Sequence, residues 1–89
     1  MKGRALFAWN LKRIRIERGI SQERLAADAG VDRAYISELE RKEGNATLDF
    51  LDKVAECLEV PLVEFFREPE PGAKKPKSML GGRPRARTR

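Results

Sequence analysis

The sequence predicts an all-α fold: one small domain of five short helices followed by a basic tail. Three observations carry that expectation. Apolar residues recur at helical spacing from Phe7 to Leu58. Helix stops are answered within two or three residues by helix starts: Gly19 by Ser21, Gly30 by Asp32, and Gly44-Asn45 by Thr47. Past Phe66 the periodicity ends, and proline, glycine and cations take over.

The first helix is expected over about Ala5 to Arg18. Phe7, Leu11 and Ile14 fall at i, i+4 and i+7 and form one inward stripe. Lys12, Arg13, Arg15 and Arg18 occupy the other sides, and Gly19 ends the helix. Trp9 and Ile16 fit the stripe poorly, and Trp9 reads as packing rather than function. Ile20 stands before the Ser21 cap, where it can act as a hydrophobic staple. Ser21 suits an N-cap because its hydroxyl accepts from an orphan amide of the first turn. Leu25, Ala26 and Ala29 give the second helix a buried side, and Gly30 stops it in a left-handed conformation. Asp32 caps the third helix, whose inward residues are Ile36 and Leu39. Thr47 caps a fourth with Asp49 in its first turn, and Leu48, Leu51, Val54, Ala55 and Leu58 form its apolar face. Pro61 suits the first position of a short fifth helix carrying Leu62, Phe65 and Phe66.

Length and composition set the limits. The 89 residues allow a domain over 1–67 and a tail over 68–89, the latter expected to be disordered. A body of about 65 residues buries only roughly 60% of its unfolded surface, so dimerisation is expected to help it. Two adjacent phenylalanines do not easily share one small core, so Leu62 with Phe65 or Phe66 is the expected dimer contact. One cysteine and no histidine argue against a disulfide framework and a zinc finger, and Cys57 reads as core filling. No apolar run approaches the ~20 residues that span a bilayer, and MKGRALFAW lacks the features of a secretory signal. The expected compartment is the cytoplasm, with nucleoid association.

Charge is divided along the chain. Residues 1–42 hold ten basic and six acidic groups, residues 43–66 one and six, and residues 67–89 eight and two. A basic first half and an acidic second half suggest surfaces with different partners: phosphates for one, and for the other a face turned away from them, with RNA polymerase a possible contact. No catalytic constellation is visible. Asp49, Asp52, Glu56 and Glu59 lie along one helix with no second chemical group, and no phosphate-cradling glycine loop is present, so the chain reads as no enzyme, without metal or cofactor.

Residues 21–40, SQERLAADAGVDRAYISELE, organise the rest. A helix, a tight Ala29-Gly30-Val31 turn and a second helix form the geometry that presents the second helix to the DNA major groove. Its outward face carries Arg33, Ala34 and Ser37, the expected base contacts. Arg33 lies at the amino-terminal end, where a guanidinium can bond guanine O6 and N7 together, a contact worth about 1–3 kcal/mol of discrimination. The plainer alternative is a solvated arginine or a partner of Asp32 or Asp28. Ala34 can touch a thymine methyl, and Ser37 a base or a phosphate. Arg24, Arg41, Lys42 and Arg4 are phosphate candidates. Tyr35 either lays its hydroxyl on a phosphate or packs at the core edge.

Arg15, Gly19, Ser21-Gln22, Leu25-Ala26, Gly30-Val31, Ile36-Ser37, Glu40 and LDFLDKVAECLEV, in this order and at these intervals, resemble the Cro and phage-repressor (XRE-type) helix-turn-helix family. The resemblance covers Leu11 to Phe66. Within it, VDRAYIS, LER and LEV followed by FF look most like the controller proteins of restriction–modification genes. The resemblance implies a lambda-repressor-like fold and a base-contacting residue at Arg33. It also implies a phosphate contact from Gln22 and a structural pair between Arg15 and Glu40. Two positions depart from the family: Lys42 stands where glycine is common, and Ala46 where proline is common. In the tail, Gly82-Arg83-Pro84 resembles the core of an AT-hook, although Gly81 replaces its usual leading arginine. Arg83, Arg85 and Arg87 therefore read first as a nonspecific phosphate-binding arm and second as a minor-groove one.

The expected function is a sequence-specific, double-stranded-DNA-binding transcriptional regulator, acting as a homodimer on a roughly palindromic operator. The recognition helix is expected over about residues 32–41. The rivals are an antitoxin or accessory DNA-binding subunit of a two-protein module, and a protein-bridging coactivator in which the helix pair is only a scaffold.

Overall fold

The computed structural model describes residues 1–74. Four α-helices follow in order, α1 (Gly3–Glu17), α2 (Gln22–Ala29), α3 (Arg33–Glu40) and α4 (Leu48–Leu58), and a 3₁₀ helix, Leu62–Phe66, closes the body. All four α-helices end the same way. A left-handed residue (Gly19, Gly30, Lys42 or Glu59) reverses the chain. The next amide then donates five residues back, from Ile20 to Arg15, Val31 to Ala26, Glu43 to Glu38 and Val60 to Ala55. This pairing satisfies carbonyls that a helix end would otherwise orphan. Only two of the four left-handed positions are glycine. At Lys42 the turn adopts the left-handed conformation for which glycine is best suited.

The starts are local as well. Ser21 Oγ accepts from the Arg24 amide at 3.0 Å, and Thr47 Oγ1 accepts from the Phe50 amide at 3.0 Å. Asp32 adopts the extended N-cap backbone, but its side chain accepts no capping hydrogen bond.

Twelve residues form the central cluster, from Phe7, Leu11 and Ile14 through Leu25, Ala26, Ile36 and Leu39 to Leu51, Val54, Ala55, Leu58 and Phe65. Ile20 packs against its edge, as a staple would. Ala26 is 3% exposed in a helix that crosses its neighbours closely, where a larger side chain would force them apart. Cys57 is half-buried beside the cluster rather than within it. Burial, aided by the Asp28 carboxylate, pushes its thiol pKa up.

Several expectations are corrected. The fifth helix is a 3₁₀ turn of five residues, with the Glu64 amide donating to the Pro61 carbonyl at 3.0 Å, and Pro61 stands just before it. So short a segment closes three-residue bonds more readily than α-helical ones. Leu48 begins α4 but points outward, 71% exposed. Phe65 is no surface contact. It is fully buried, edge-on to Phe7 at 5.2 Å, which leaves Phe66 as the exposed member of the pair, with Leu62 half-buried and Val63 exposed. Residues 68–74, assigned to the tail, are described: the Met1 amine pairs with Glu68 at 3.3 Å, and a turn follows over 70–73. Residues 75–89, and with them Arg83, Arg85 and Arg87, lie outside the described residues. Among the described residues no helix is long and apolar enough to cross a membrane.

Candidate nucleic-acid interface

The site is built on a buried ion pair. Arg15, on the inner side of α1, donates from Nε to Glu40 Oε2 at 2.6 Å and from Nη2 to Glu40 Oε1 at 3.0 Å. Its Nη1 donates to the Ile20 carbonyl at 2.9 Å. The side chains are 6% and 4% exposed. A fork of two parallel bonds fixes direction as well as distance, so the last residue of α3 is locked to α1. Breaking such a pair by removing one partner strands a charge in the interior.

From this pair a hydrogen-bonded line runs outward. Gln22, the first residue of α2, donates from Nε2 to Glu40 Oε1 at 3.0 Å. Its Oε1 accepts from Arg33 Nη1 at 3.2 Å. Arg33, the first residue of α3, is exposed. Arg33 and Glu40 are seven residues apart, two helical turns, and so share one side of α3 with Gln22 spanning between them.

The remaining candidates divide into groups. Ala34 is exposed beside Arg33. Ser37 is half-buried one turn further, and its hydroxyl accepts from Arg41, whose other nitrogen pairs with Glu43 at 3.3 Å. Lys42 is exposed at the exit turn. Arg24 stands apart, exposed and facing Asp28 at 3.7 Å across one turn of α2. Tyr35 donates its hydroxyl proton to the Asn45 carbonyl at 2.8 Å and packs edge-on to Phe50 at 5.3 Å. A phosphate offers only acceptors, so in this conformation Tyr35 is a strut for the loop between α3 and α4 and not a backbone ligand.

Two residues escaped sequence reading. Asn45 is held from both ends, its carbonyl by Tyr35 and its side-chain oxygen by Arg4. Its place in a polar loop gave no warning. Asn10 is 1% exposed, with its amide nitrogen 3.0 Å from the Leu6 carbonyl and 2.9 Å from the carbonyls of Phe65 and Arg67. Here a signal existed: Asn10 completes the Phe7, Leu11, Ile14 stripe at the i+3 position, where a polar side chain must find partners.

A short helix with an exposed polar face, crossing its predecessor over a glycine turn and clamped from behind, defines a helix-turn-helix module. Residues 11–65 match the helix-turn-helix family, and the chain belongs to it. The chain is 39% identical over 67 residues to a hypothetical transcription factor of Neisseria meningitidis, covering 75% of this chain and 63% of that protein. The crystal structure of NHTF from Neisseria superposes with a TM-score of 0.73 at 38% identity, over 78% of this chain and 79% of that one. Control protein C.BamHI of Bacillus amyloliquefaciens is 38% identical over 58 residues, which cover 64% of this chain and 72% of that protein. The restriction-modification controller C.Esp1396I, solved on a 19 base pair DNA duplex, gives a TM-score of 0.67 at 38% identity, over 74% of this chain and 88% of that one.

Proposed function

We propose that this chain is a sequence-specific DNA-binding transcriptional regulator of the controller type, with α3 entering the major groove. The observation that carries the reading is Arg33, exposed at the leading end of α3 and backed by a line of hydrogen bonds to a buried ion pair. A guanidinium presented in this way suits the two acceptors on a guanine edge. Ala34 and Ser37 are the neighbouring base contacts, and Arg41 and Lys42 at the exit of α3, with Arg24 on α2, are the phosphate contacts. That C.Esp1396I, similar over most of this chain, has been solved on a DNA duplex supports the same use here.

The regulator binds as a homodimer on a roughly two-fold symmetric operator, with half-site centres about 34 Å apart. Exposed Val63 and Phe66, with half-buried Leu62 beside them, form the seam, an apolar edge on a body too small to bury much of its own surface. Selection of bound sequences from random duplex DNA tests both parts. The expected product is an inverted repeat, and Arg33→Ala is expected to lose about 1–3 kcal/mol of preference at one base pair of each half. An unrepeated motif would overturn the dimer, and a preference untouched by Arg33→Ala would overturn the assigned readout.

A further inference from the structure

We infer that Asn10 is a positioning residue for self-association, pinning the backbone on both sides of Phe66 so that the seam is shaped before two copies meet. The inference rests on the proposed dimer. Arg13 donates to Asn10 Oδ1 from Nε at 3.2 Å and from Nη2 at 3.0 Å. An arginine can only donate, so this contact fixes which way the Asn10 amide faces. Its nitrogen is thereby turned to three carbonyls, those of Leu6, Phe65 and Arg67. Two protons serve three acceptors, so one of them is shared.

Two of those carbonyls bracket Phe66. The last carbonyls of a helical turn have no donor of their own, and so short a turn at the edge of a body ordinarily frays. Here the buried Asn10 supplies the donor from α1, and Arg13 adds a second tie to the same turn, 3.8 Å from Glu64. The chain around Phe66 is held at fixed points while the ring itself stays exposed. That placement matters because Phe66 joins two apolar patches. Exposed Val63 precedes it by one turn of the 3₁₀ helix, and exposed Leu48 lines the same cleft as Phe66. A ring that wandered would split the seam, and ordering it on association would cost affinity at both copies of a symmetric contact.

The test is sedimentation equilibrium of the full chain without DNA, at a temperature well below each variant's unfolding midpoint. Asn10→Ala is expected to raise the dimer dissociation constant about tenfold or more, because each copy must order its turn anew. In a Phe66→Ala background the same change is expected to move that constant less than about threefold. Binding of a single protomer to a half-site duplex is expected to change less than about twofold in Asn10→Ala, since the reading face lies on other residues. Asn10→Ser, which keeps one donor, is expected to act in the same direction and stands in if the alanine variant fails to fold. A dimer constant unmoved by Asn10, equal effects with and without Phe66, or an equal loss on the half-site would overturn the inference and leave Asn10 a support of the fold alone. A parent chain that stays monomeric, or one whose dimer is untouched by Phe66→Ala, puts the failure in the proposed seam and removes the inference with it.

Discussion

The two halves of α1 are held to the rest of the body by opposite kinds of chemistry. Toward its carboxyl end Arg15 reaches α3 through a forked ion pair with Glu40. Toward its amino end Phe7 meets Phe65 edge to face, and Asn10 fastens the carbonyls of Phe65 and Arg67. The apolar hold gains stability from buried area and tolerates small rotations. The ionic hold gains much less, since two desolvated charges offset most of their own attraction, but it is directional. Direction is what α3 needs for the proposed base readout, and the ion pair lies on the side of α1 that faces α3. The hold on α1's other half meets the 3₁₀ turn and the proposed dimer seam, where area is what counts.

Glu40→Ala is the sharpest way to break this comparison, because it leaves Arg15 charged and buried; a loss of about 3–5 kcal/mol in urea unfolding is expected. The paired change Arg15→Met with Glu40→Met removes both charges and is expected to unfold within about 1 kcal/mol of the parent or later. It should nevertheless lose base preference, because the fork that sets the direction of α3 on α1 is gone. A double variant that kept its preference would show that direction is supplied elsewhere. Phe65→Ala, by contrast, is expected to cost about 3–5 kcal/mol through the cavity it leaves. Measured below its unfolding midpoint, it should still discriminate between base pairs. Loss of preference there would merge the two holds into one.

The mildest change touches neither hold. Lys42→Gly relaxes a left-handed residue at the exit of α3 and is expected to add about 1 kcal/mol, raising the thermal midpoint by roughly 4–8 °C. A lowered midpoint would mean that the lysine side chain stabilises the turn by more than its backbone strain costs.

Much of the fold was legible because its signals act over a few residues. Ser21, Thr47, Gly19 and Gly30 each act within one turn of where they stand, and each does what its chemistry foretold. The left-handed Lys42 and Glu59 were not legible, since nothing in either side chain asks for that conformation; the carbonyls of the preceding turn do. The site was legible in part. Arg33 and Ala34 could be placed on an outward face by periodicity alone. That Tyr35 turns to Asn45 could not, because its partner lies ten residues on, across a loop.

Spacing and caps alone settled where the chain would coil, where it would reverse, and which side of each coil would turn inward, because these depend on neighbours a few bonds away. Packing decided the rest. It put Phe65 inside and Phe66 outside, left Leu48 in solvent, and met Asn10 with carbonyls 55 and 57 residues downstream. Each of those outcomes depends on which surfaces arrive together once the helices close, and no local pattern along the chain encodes that arrival.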